Sequence, residues 1–250
     1  FITKQTNSDL FIFSAGGQTF PSVKYFRVDS KEKRLKRHEI LRLVQEEILS
    51  IIEEGDTVFI SLRHPYHFGE DWYEYPAEDF RFFDTNNKII SKDSKKDHFK
   101  NWLNATKDFS NELNSIGAKL VISTPTPESP QASLKRCNYQ NDQWFNKFSR
   151  VNCSTPKEFF TKKGGKYSYL INELEKVSLE NKNIYLFDSF KIFCPQKECF
   201  FSDANDLLYA DKDHISNYAA RYIYAPKMLE FLKENKILDK KNKPFAKGDI

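Results

Sequence analysis

The residues best placed to do chemistry lie late in the chain, in the run Leu208-Tyr209-Ala210-Asp211-Lys212-Asp213-His214-Ile215-Ser216. An Asp three residues before a His, in a loop entering a helix, can turn its carboxylate onto the imidazole. That contact fixes the ring tautomer and stabilises the imidazolium formed when the His takes a proton from a serine. Histidine is the natural general base for such a step because its ordinary pKa lies near neutrality. Ser216 can cap the following helix and hold the loop. Asp213 is expected to be a solvated neighbour of the pair. Asp-x-x-His is a common pattern on its own. Here it gains weight from its place after the last strand, before a terminal helix and beside a cysteine hairpin.

Other candidates are weaker. His64 and His67 flank Pro65-Tyr66, with Glu70 and Asp71 close behind. His and carboxylate clusters can hold metals, but a His-x-x-His spacing without a defined helix favours a hydrogen-bonding role in a loop. No metal and no dissociable cofactor is expected. Trp72, Tyr73 and Tyr75 could stack on sugar rings or simply pack their own loop. Ser14 sits at a strand end before Ala-Gly-Gly, but no amphipathic helix follows directly, as a strand-to-helix nucleophile turn requires.

Cys137, Cys153, Cys194 and Cys199 fall as two pairs close in sequence, so local pairing is the expected connectivity. Their spacings are too long for a zinc site. Two disulfides imply an oxidising, extracytoplasmic compartment; four buried free thiols are the alternative.

These residues need a scaffold, and 250 residues fit one α/β domain spanning 1–250. With 39% hydrophobic residues, 23 Phe and 12 Tyr, the core is built on aromatics as much as on aliphatics. The net charge of +4 is mild, and basic residues are interrupted by acids outside residues 92–100 and 233–247. Such runs read as solvated faces. With no arginine-rich arm, nucleic-acid binding is not expected. No stretch approaches the roughly 20 apolar residues of a membrane span, and no signal peptide is present. The chain opens on Phe1 instead of Met, which reads as a processed or excised piece of something longer.

Buried strands are expected at residues 9–14 (DLFIFS), 57–62 (TVFISL), 119–123 (KLVIS) and 183–188 (NIYLFD). Leu41, Val44, Ile48 and Ile51 recur at helical spacing over 37–54, with Gly55 as the stop. Phe99, Trp102, Leu103, Phe109, Leu113 and Ile116 do the same before Gly117. Thr155-Pro156-Lys157-Glu158 reads as a capping box opening a helical region, continued by Tyr169, Leu170, Leu174 and Val177. A last helix over 216–235 meets Pro226, a point of kinking or interruption. Residues 63–90 form a long aromatic, acidic loop. Strands this far apart, with helices between, call for βαβ crossovers: a three-layer α/β/α sandwich around a parallel sheet. Sites in such sheets gather beyond the carboxyl ends of the strands. Those ends are residues 14–17, 63–67, 124–127 and 188.

The block C-P-Q-K-E-C … L-L-Y-A-D-K-D-H-I-S-N-Y-A-A resembles the C-terminal block of SGNH hydrolase domains, whose fold is flavodoxin-like. The variety it is most similar to is fused to membrane-bound acyltransferases that O-acetylate cell-surface polysaccharides. There, a cysteine hairpin precedes a Tyr-x-Asp-x-x-His-Leu-Ser block. FIFSAGGQTFPSVKYF, DTVFISLRHPYHF and KLVISTPTPESP resemble earlier blocks more loosely; Gln18 and Thr19 depart from the family's usual Gly-Cys-Pro-Pro turn. The resemblance implies that His214 is the general base and Asp211 its orienting acid. It also places Arg63 where an oxyanion-hole group usually sits, with a surface ion pair as the plainer role.

The family's nucleophile lies in a Gly-Asp-Ser-His block at the end of its first strand. No Gly-Asp-Ser occurs in these residues, and Gly55-Asp56-Thr57, the nearest match, opens a strand instead of closing one. The expectation is therefore a domain lacking its first strand and nucleophile block, these lying upstream of Phe1, or else a catalytically dead one. The implied function is an O-acetyltransferase acting on polysaccharide hydroxyls. An acetyl esterase on the same machinery and a non-catalytic polysaccharide-binding domain are the alternatives. The implied partners are a carbohydrate substrate and an acyl donor delivered by a membrane acyltransferase domain. The implied location is periplasmic or cell-surface, with a membrane tether through the missing N-terminal region.

Overall fold

The computed structural model describes residues 11–13, 19–21, 31–68, 82–83, 89–90, 94–130, 134, 153–162, 166–203 and 206–238. Three parallel strands form its centre: β1 (Thr57–Ile60), β4 (Lys119–Ser123) and β6 (Ile184–Phe187), in the order β1-β4-β6. Val58 stands opposite Leu120, and Leu120 opposite Ile184. Successive side chains of a strand point to opposite faces. Val58, Ile60, Leu120, Ile122, Ile184 and Leu186 therefore enter one core, while Phe59, Val121, Tyr185 and Phe187 enter the other. A strand buried on both faces must be apolar throughout, which is why these segments do not alternate.

Helices α1 (Lys31–Ile51), α3 (Ser94–Ile116) and α5 (Lys166–Glu180) cover the first face. Leu41 and Ile48 of α1 are buried, as are Phe99, Trp102, Leu103, Phe109 and Leu113 of α3 and Leu170, Leu174 and Val177 of α5. Gly117 ends α3 with φ +84°, a left-handed conformation only glycine takes without strain. Helix α8 (Ala225–Glu234) covers the opposite face through Met228, Phe231 and Leu232. This is the α/β/α sandwich with a central parallel sheet expected from the spacing of the strands. Among the described residues, no helix is long and apolar enough to cross a membrane.

Several local expectations give way. Phe11, Ile12 and Phe13 belong to no strand and are 44–78% exposed, because an apolar run becomes a strand only where a sheet edge accepts it. Ile51 is also exposed, and the neighbouring Ile52 takes its place against the core. The capping box at residues 155–158 does not form. Ser154–Pro156 is instead strand β5, antiparallel to β7 (Glu198–Phe200), with Thr155 opposite Cys199. The short helix α4 (Glu158–Thr161) then starts without a side-chain cap. Pairing with the cysteine hairpin outweighs a cap worth about 1 kcal/mol. The aromatic loop carries helix α2 (His64–Phe68) and an antiparallel pair, β2 (Phe82–Phe83) with β3 (Ile89–Ile90).

His64, at the start of α2, is fully buried, its ring edge-on to Trp102 and tilted against Phe68. Packing against these rings is its evident role. His98 lies on the other side of Phe68. Burial, and then the nearby charge of His67, push both imidazoles down to about 3. The folded chain keeps them neutral in the window where the unfolded chain, with histidines near 6.5, takes up protons. Stability is thus fully present above about pH 6.5 and is lost as pH falls toward 3. Each imidazole contributes up to about 1.4 kcal/mol per pH unit. Urea unfolding at pH 7 and pH 5 should show this loss, and His64→Leu should reduce its slope. An equal slope in the variant would contradict the assignment.

Candidate functional site

The pair at Asp211 and His214 is positioned by the cysteine hairpin. Cys194 and Cys199 are disulfide-bonded, with Cα atoms 4.0 Å apart, at the base of β7. From β7 the chain runs into a small ladder in which Phe201 accepts from Leu208 N–H and Leu208 accepts from Ser216 N–H. Tyr209 bridges Ile215, and Ala210 N–H donates to His214 O at 2.8 Å, closing the loop that carries the pair. Tyr209 anchors it from below, fully buried between Phe193 and Phe201. Above it, Ser216 accepts from Ala219 N–H and donates to Leu207 O, capping the terminal helix as its type and position suggested.

The helix behind the loop runs through α7 (Asn217–Ala219), a π-helical turn (Ala220–Tyr224) and α8. Pro226 has no N–H for the normal ladder, and the wider turn precedes it, with Ala225 N–H reaching back to Ala220 O. The expected interruption is thus a change of helical pitch.

Asp211 Oδ2 lies 2.8 Å from His214 Nδ1, and Oδ1 lies 3.0 Å away. Oδ1 also accepts from the backbone N–H of His214 (2.8 Å) and Asp213 (3.0 Å). Burial pushes the Asp211 carboxyl up, but these two N–H groups and the imidazole outweigh it and hold it below the usual carboxylate range. The carboxylate is therefore ionised at neutral pH and can hold Nδ1 as a donor. His214 is 73% exposed and Asp211 55%, so the ring is open to an incoming group.

Arg63, at the end of β1, reaches this loop. Its Nη1 lies 2.8 Å from Asp213 Oδ2, and its Nε lies 2.9 Å from Glu128 Oε1, with Nη2 3.4 Å from Oε2. Asp213 is thus no solvated bystander: its side chain is 12% exposed and its carboxylate is ion-paired. An N–H-anchored turn directs Asp211 outward to the ring and leaves Asp213 pointing inward to the guanidinium. Burial pushes the Asp213 carboxyl up, Arg63 and His214 pull it down, and the net effect is upward. The turn carrying Glu128 is itself fixed. Glu128 N–H donates to Tyr167 Oη at 3.0 Å, Tyr167 Oη donates to Thr126 O, and Ser129 N–H donates to Lys212 O at 2.7 Å. Nothing in the sequence marks Glu128 or Tyr167 for this site, since an acid in a Pro-rich turn carries no periodic signal.

The carboxyl ends of all three strands converge here. Besides Arg63 and Glu128, the hydroxyls of Ser61 and Ser123 lie 3.3 Å apart and bond to Tyr224, whose phenol is pushed up to about 12 by burial. Asp188, after β6, caps helix α6 (Ser189–Phe193) and accepts from Thr124. It is a structural acid. Asp211, Asp213 and His214 each offer a ligand-type atom within 4.8 Å of the others. That closeness already follows from the Asp211–His214 contact and the turn that makes it, and His64 and His67 form no such group among the described residues. Ser14, Glu70, Asp71, Trp72, Tyr73, Tyr75 and Cys137 lie outside the described residues; Cys153 is disulfide-bonded.

No curated protein matches the chain. A family model does match, that of the SGNH domain fused to AT3 domains, over residues 2–226. It spans the sheet, the cysteine hairpin and the Asp211–His214 loop, and its class of activity is esterase or acyltransferase. On that match the chain belongs to the SGNH domain family, in the variety found fused to AT3 domains.

Proposed function

We propose that the domain transfers an acyl group, most simply acetyl, onto a carbohydrate hydroxyl through a serine, His214 and Asp211. The observation that carries this reading is the 2.8 Å contact between Asp211 Oδ2 and His214 Nδ1 at an exposed loop. With Nδ1 engaged, Nε2 is the nitrogen left for a reacting proton. It takes the proton of the serine hydroxyl as Oγ bonds to the acyl carbon, and returns it to the departing donor group. In the second half, it takes the proton of a sugar hydroxyl as that oxygen bonds to the acyl carbon, and gives it to Oγ as the bond to the serine breaks. Water in place of the sugar would make the same machinery an esterase.

The family's fusion to AT3 domains supports an acyl donor delivered by a membrane acyltransferase, and the disulfides support an extracytoplasmic location. The other reading is a carbohydrate-binding domain of the same fold without chemistry. Incubating the full-length protein with an acetyl ester, with and without an oligosaccharide, separates the three. Acetylated sugar is the expected product, free acetate alone marks the esterase, and no turnover supports the binder.

A further inference from the structure

We infer that Arg63 is a positioning residue, which holds the Asp213 carboxylate away from the imidazole so that Asp211 alone orients His214. The inference rests on the triad reading and assigns work to the residues behind it. Asp213 Oδ2 lies 3.7 Å from His214 Nδ1, the nitrogen Asp211 holds at 2.8 Å. Two carboxylates thus stand within reach of one N–H. Asp213 Oδ2 is 2.8 Å from Arg63 Nη1, and Arg63 is in turn clamped by Glu128, only 5% exposed. Tyr167 fixes Glu128 through its backbone N–H, and Ser129 N–H ties the same turn to Lys212 O in the His loop. The guanidinium therefore joins the end of β1, the turn after β4 and the His214 loop. All three of its nitrogens are committed to carboxylates, which favours a structural clamp over an oxyanion donor.

The charged and titratable groups facing the imidazole and its clamp are Asp211, Asp213, Arg63, Glu128, Tyr167 and Tyr209. Removing the Arg63 cation both takes away a positive charge and frees an anion beside the ring. Both effects favour the protonated imidazole.

The test follows the His214 imidazole titration by NMR, together with the acid limb of kcat/KM, in three variants of the protein. Arg63→Gln should move the His214 midpoint upward by about half a unit to one unit, with the acid limb moving alongside. Asp213→Asn, which leaves the Arg63–Glu128 pair intact, should move both downward. The double variant should return close to the starting values. An unmoved midpoint in Arg63→Gln, or a double variant retaining the full single-variant shift, would overturn the inference. So would a loss of turnover equal at every pH with the titration unchanged, since that marks direct action on substrate. Should Arg63→Gln fail to fold, Asp213→Asn alone decides, and a midpoint that does not fall overturns it. The titration needs no turnover, so full activity in His214→Ala would sink the triad reading without touching this result.

Discussion

Replacing His214 with alanine should lower ester turnover by at least about 10³-fold while leaving the thermal unfolding midpoint nearly unchanged. The two halves of this expectation come from different features of the loop. General-base catalysis contributes about 10²–10⁴-fold by itself, and a serine without a base is a poor nucleophile at neutral pH. The imidazole is 73% exposed, and its side chain contacts Asp211 and, more distantly, Asp213. Exposed ion pairs contribute little to folding. The loop's shape depends instead on the backbone bond from Ala210 N–H to His214 O, on the Asp211 turn and on buried Tyr209, none of which needs the ring. Asp211→Asn should reproduce most of the loss, because an amide facing Nδ1 favours the wrong tautomer. Turnover with an activated acetyl ester, measured beside the melting curve, checks both variants.

The largest effect on stability is expected at Trp102. Its indole is fully buried in α3, stacked on Phe99 with centroids 5.8 Å apart and tilted against Phe68 at 5.3 Å. Its Nε1–H donates to Phe20 O at 3.0 Å, pinning an N-terminal segment to the first core. Trp102→Ala would leave a cavity beside His64 and Phe68 and strip that carbonyl of its donor. A large aromatic lost from a core costs about 3–5 kcal/mol. Against a total of about 5–15 kcal/mol, the change should bring the chain close to the edge of folding. Urea unfolding should show a large fall in midpoint. A loss below about 1 kcal/mol would mean that the core collapses around the gap.

The sheet was legible because strands buried on both faces must be apolar. KLVIS, TVFISL and NIYLFD stand out from a polar background, and their central residues pair as the spacing requires, with the last two strands shorter at their ends. The Asp211–His214 contact was legible because i, i+3 residues in a turn meet whatever the rest of the chain does. What escaped depends on contacts distant in sequence. Arg63 and Glu128 are 65 residues apart, and only the convergence of two strand ends brings them together. The capping box failed for a similar reason: Thr155 had a stronger alternative in a ladder whose other strand lies more than 40 residues away. Asp213 looked solvated because nothing local reveals which of two neighbouring acids turns inward.

The rate of serine acylation itself reports directly on His214 as the base. The full-length protein is mixed rapidly with an activated acetyl ester, quenched, and its covalent acetyl content followed by intact mass. A burst of one acetyl group per chain is expected in the unaltered protein, and acylation slower by at least about 10³-fold in His214→Ala. Acylation of His214→Ala at the unaltered rate would contradict the assignment of His214 as the base.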